Sequence, residues 1–132
     1  MQKLYKSTEL AGRLLLVAIF LIAGIGKLAG YTQTQGYMQS MGVPGGLLPL
    51  VILTEIGGAV LIALGLWTRA VAFGLAGFTL LTAILFHGGS SDQVQQIMFL
   101  KNVSIAGGFA LLFAHGAGAW SLDARRAARR AA

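Results

Sequence analysis

Residues 13–27 read RLLLVAIFLIAGIGK, with thirteen consecutive apolar or glycine residues from Leu14 to Gly26 held between Arg13 and Lys27. No helical or strand period gives such a run a water-facing side, so it predicts a helix surrounded by apolar material. Extended to Leu10–Leu28, it reaches the length of about 20 residues that a bilayer span needs. A secretory signal has a similar basic start and apolar core. Here, however, Leu28-Ala29-Gly30 makes a poor cleavage site, and the later apolar runs need the first as a packing partner. The segment therefore reads as a retained helix.

Working outward, the same apolar density recurs three times. Spans are expected at about 10–28, 47–66, 70–87 and 97–114, which uses the 132 residues as a single transmembrane domain and predicts an all-α, integral membrane four-helix bundle. Only 11% of residues are charged and mean hydropathy is +0.75, whereas soluble domains carry about 25% charged residues. Between the first two spans, Tyr31–Gly46 is polar and glycine-rich. Within it, Thr32 to Ser40 predicts a short interfacial helix, capped by Thr32 and stopped by Gly42 and Pro44. Pro49 opens the second span in its first turn, where a missing N–H does no harm. Trp67-Thr68-Arg69 is a tight turn, so spans two and three are antiparallel neighbours.

The net charge of +6 does not indicate a nucleic-acid partner, because no basic patch falls on a soluble module. Lys3, Lys6, Arg13, Arg69, Arg125, Arg126, Arg129 and Arg130 all fall at one end of the bundle, while Tyr31–Gly46 and Gly88–Gln96 hold no Lys or Arg. By the positive-inside rule both termini are expected to be cytoplasmic. Residues 121–132 read as a basic cytoplasmic tail, a short helix against anionic headgroups that anchors the topology. There is no Cys, which removes disulfides and thiol redox chemistry carried by the chain itself.

Spans two and four share a pattern: Thr54-Glu55-Ile56-Gly57-Gly58-Ala59-Val60-Leu61 against Ser104-Ile105-Ala106-Gly107-Gly108-Phe109-Ala110-Leu111. A duplicated hairpin would produce it, as would chance, since paired glycines suit any close helix approach in lipid.

The candidate site follows from ionisable residues inside the spans. A charge near the bilayer centre costs roughly 2.5–3.5 kcal/mol on insertion scales, so such groups face the bundle interior and pair. Lys27, Glu55, His87 and Lys101 give each helix one polar group in the half nearer the uncharged loops. Glu55 is too short to snorkel, and an ion pair with Lys101 is the first expectation, with Lys27 as second choice. Arg13, Asn102 and Ser104 are supporting candidates. Arg13 lies two heptads before Lys27 on nearly the same helix face, although each residue could instead snorkel to its own headgroup layer. A purely structural polar network is the competing reading. No residue is assigned a catalytic role and no metal-ligand cluster is present.

Arg13-Leu14-Leu15, Gly24-Ile25-Gly26-Lys27, Tyr37-Met38, Met41-Gly42-Val43-Pro44, Glu55-Ile56-Gly57-Gly58, Leu64-Gly65-Leu66-Trp67-Thr68-Arg69, Phe86-His87, Phe99-Leu100-Lys101-Asn102 and Ser121-Leu122-Asp123 together resemble the DoxX family, over nearly the whole chain. The resemblance implies a multi-pass protein of the bacterial inner membrane. It also implies an accessory or quinone-interacting subunit of a membrane redox or oxidative-stress system, with quinone as the cofactor to consider and a membrane redox partner or a homodimer as the assembly. The alternatives are a small carrier for an anionic solute or protons, and a structural assembly factor. The isolated chain is not expected to be catalytic.

Overall fold

A computed structural model describes residues 1–132, and every regular element in it is helical: α1 (Gln2–Ala29), α2 (Tyr31–Ser40), α3 (Leu48–Leu64), α4 (Thr68–Thr82), α5 (Gln93–His115) and α6 (Leu122–Ala131). A 3₁₀ turn at Gly45–Leu47 leads into α3, and a π-helical turn at Ala83–His87 continues α4. Four helical stretches are long and apolar enough to cross a membrane: Gln2–Ala29, Gly45–Leu64, Thr68–His87 and Gln93–His115.

α1 has 28 residues, so at 1.5 Å per residue it is longer than a hydrocarbon core of about 30 Å. Its first two turns, with Lys3, Lys6 and Glu9, therefore extend the apolar segment at the basic end. α2 does not begin on a Thr32 cap. Gly30 occupies the N-cap and no side chain caps the helix, because the chain barely leaves α1 before re-entering helix. The Gly30 carbonyl accepts both the amide and the hydroxyl of Thr34. The π-helical turn was not foreseen from the sequence either. One extra residue per turn re-aims the side chains that follow, here Phe86 and His87.

α1 packs along α3, α4 packs along α5, and α3 meets α4 across their short turn. α1 and α5 meet sparsely, chiefly through the edge-to-face pair Phe20–Phe109, whose ring centroids are 5.4 Å apart. The second glycine of each Gly-Gly pair does equivalent work. A Cβ at Gly58 would stand 2.9 Å from Leu75 and one at Gly108 3.1 Å from Leu16, so both glycines admit a leucine from a neighbouring helix. The central core comprises Val17, Phe20, Ala59, Ile62, Ala72, Leu75 and Phe109, and it fills the half of the bundle nearer the basic end.

That end is closed by the chain's own tail. Gly65 turns the backbone in the left-handed region (φ 68°), and Trp67 follows at φ 49°. The Arg13 side chain passes the bare face of Gly65 and donates from Nη2 to the Trp120 carbonyl at 2.6 Å. The Asp123 carboxylate accepts from the amides of Trp67 and Thr68 at 2.8 and 2.9 Å, covering the otherwise unpaired first N–H groups of α4. Ser121 caps α6 by accepting from the Ala124 amide.

Partial burial alone would raise the pKa of Asp123, but the hydrogen bonds from Thr68 and Trp67 and the nearby Arg126 hold it below its ordinary value. The contact is therefore fully present above about pH 4, the unfolded value, and is lost as pH falls through the lowered one. In a Trp120→Phe background, Trp67 fluorescence should change only below that value, and Asp123→Asn should abolish the change. A midpoint at or above the ordinary carboxylate value would contradict the docked geometry.

Candidate functional site

The cavity of interest, about 240 Å³, lies between the core and the uncharged loops, where α1 and α5 part. Its walls are mostly apolar and aromatic, including Phe20, Phe78 and Phe86. Its polar lining includes Lys27, Glu55, His87, Lys101 and Asn102. Five of the seven residues singled out from the sequence thus converge.

The pairing within the cluster differs from the first expectation. Lys27 Nζ stands 3.0 Å from both Glu55 carboxylate oxygens, whereas Lys101 Nζ donates to the Met98 sulfur one turn earlier in its own helix, at 3.3 Å. The Glu55–Lys101 bridge is therefore absent, and Lys27 takes its place. The reason is helix order: α1 runs beside α3, whereas α5 runs beside α4. The long Lys27 stem reaches inward from the end of α1, so its greater distance from Glu55 in depth does not matter.

Lys101 is consequently a half-buried cation with no carboxylate in reach, since Lys27–Glu55 is the sole ion pair. Thioether sulfur is a weak acceptor, so the ammonium has unused capacity. Asn102 Nδ2 reaches Thr82 Oγ1 at 3.3 Å and the Thr79 carbonyl at 3.5 Å, tying α5 to α4 at the cavity wall. The His87 ring nitrogen Nδ1 lies 2.6 Å from Gln95 Oε1. With the amide in that orientation Nδ1 donates.

Two supporting candidates fall elsewhere. Arg13 is buried at the basic end, against Trp120. Ser104 is exposed and donates to the Leu100 carbonyl of its own helix. The sequence reading missed the contribution of α2, which places Thr34, Tyr37 and Met38 on the cavity. Tyr37 stacks on Phe86, with centroids 5.7 Å apart and planes at 22°. The only sequence signal was the aromatic and methionine content of that segment.

Four apolar helices around a partly polar intramembrane cavity define a small polytopic membrane protein. The chain belongs to the DoxX family, whose model matches residues 8–88. It is 51% identical to the inner membrane protein YqjF of Escherichia coli K12, over 93% of this chain and 95% of that protein. It is 42% identical to inner membrane protein YphA of the same organism, over 88% of each. No solved structure matches the chain. It is thus a DoxX-family protein of the bacterial inner membrane, embedded in the lipid bilayer by several spanning helices.

Proposed function

We propose that the cavity binds the head of a quinone-class amphiphile drawn from the bilayer, and that the protein is an accessory subunit of a membrane redox system. The observation that carries this reading is Lys101, an ammonium with no carboxylate partner, beside Asn102 in a cavity whose walls are mostly apolar and aromatic. Quinone carbonyls are acceptors, and these are donors. At about 240 Å³, the cavity falls just below the range of about 300–1,000 Å³ for whole small-molecule sites. It therefore suits a single ring, with an apolar tail leaving through the sparse α1–α5 seam.

The carrier reading is weaker, because the packed layer around Phe20 and Phe109 lies between this cavity and the basic end. Native mass spectrometry of the protein released from native lipid particles tests the proposal. The expected result is a retained isoprenoid quinone, with a redox partner or second copy read from the same spectrum. Retention of phospholipid alone at every stoichiometry would contradict it.

Both termini are placed on the cytoplasmic side in this reading, on the distribution of Lys and Arg. Single cysteines at the exposed positions Gln33 and Ser90 should react with an impermeant maleimide in spheroplasts, while those at Ser7 and Ala128 should stay unlabelled. The reverse pattern would overturn the orientation.

A further inference from the structure

A second recess, of about 180 Å³ and open to the surface, lies at the opposite end of the bundle, lined by Leu66, Leu122 and the exposed Arg125, Arg126 and Arg129. Residues 122, 125, 126 and 129 follow the spacing i, i+3, i+4, i+7, so they form one face of α6. That face is held in place rather than left free. The Asp123 amide donates to the Gly65 carbonyl at 2.8 Å, its carboxylate holds the amides of residues 67 and 68, and the Arg126 guanidinium stands 5.7 Å from the Trp67 ring centroid.

The arrangement concentrates like charge. Arg125 and Arg129 are four residues apart and Arg126 and Arg129 three, spacings at which like charges repel. No arginine of α6 forms a direct ion pair; Asp123, whose oxygens accept the two backbone amides, offsets only part of the charge of the neighbouring Arg126. A ten-residue helix is marginal by itself, and an anion with several oxygens would relieve the repulsion along this face. Guanidinium forks match phosphate in that way. Leu66 and Leu122 give the recess an apolar wall, and it lies just past Leu64 and Gly65, where α3 ends. The neighbouring Trp67 is exposed, as suits a residue at headgroup level.

We propose that this recess is a binding site for the phosphodiester headgroup of an anionic phospholipid. Free phosphate presents the same oxyanion, but the leucine wall and the position at the helix end favour the lipid.

The purified full chain carrying Trp120→Phe, in neutral detergent, would be titrated with short-chain phosphatidylglycerol and with short-chain phosphatidylcholine, using Trp67 fluorescence as the readout. Phosphatidylglycerol should bind at least tenfold more tightly. Arg125→Gln with Arg129→Gln should weaken it by a further tenfold or more, given roughly one kcal/mol per arginine near an anionic surface. Glutamine keeps the helix propensity of arginine, and circular dichroism would verify that α6 is retained. Arg130→Gln, which lies off the recess, should change the affinity less than twofold. Equal affinity for the two lipids would overturn the site. An equal loss from Arg130→Gln would replace it with diffuse surface charge, and saturation by inorganic phosphate alone would overturn the lipid assignment.

Discussion

Replacing Lys27 by Met should destabilise the purified protein by about 3 kcal/mol, the lower end of the range for removing one partner of a buried pair. The lower end applies because Lys27 keeps 26% of its side chain accessible, while Glu55 keeps 9%. The cost arises from Glu55, left as an uncompensated carboxylate among apolar helices, more than from the lost attraction. Glu55→Gln should cost less, since a freed Lys27 can extend toward the loop end of α1 and its headgroups. The double variant should recover at least about 1 kcal/mol relative to the sum of the singles, as a coupled pair does in a double-mutant cycle. Urea or thermal unfolding in one detergent provides all four values. Strictly additive losses would show that the pair is not coupled, and equal coupling of Glu55 to Lys101 would contradict the observed pairing.

This pair also marks what the sequence could and could not reveal. Hydropathy locates four helices because lipid imposes length and composition on each one separately. It likewise exposes Glu55, a short charged side chain well inside an apolar run. Which lysine neutralises it depends on helix order around the bundle, and depth along a helix does not encode that. Arg13 illustrates the same limit. It shares a face with Lys27, yet fourteen residues of helix separate them by about 21 Å, and Arg13 serves the tail instead. The α2 contribution was obscured because Thr34 and Tyr37 lie in a segment of weak periodicity. The π-helical turn had no local signature in the sequence. The tail was legible as basic and helical, but its docking rests on the Asp123 carboxylate meeting two backbone amides 55 and 56 residues earlier, a long-range fit that composition does not report.

The claim that the loop-side cavity is a site for an acceptor-bearing amphiphile turns on Lys101. A charge-assisted hydrogen bond contributes about 1.5–3 kcal/mol, which corresponds to roughly a tenfold to hundredfold change in affinity. Lys101→Met keeps an unbranched apolar stem that ends where the Lys101 Cε lies and removes the ammonium. Ser104 lies one turn further along α5 and faces away from the cavity, so Ser104→Ala serves as the matched control. Binding of a short-chain benzoquinone would be measured by isothermal titration in lipid nanodiscs for the unsubstituted protein and both variants. The account predicts saturable one-site binding, weakened at least tenfold by Lys101→Met and unchanged by Ser104→Ala. Absence of saturable binding to the unsubstituted protein, or binding that Lys101→Met leaves unchanged, would contradict it.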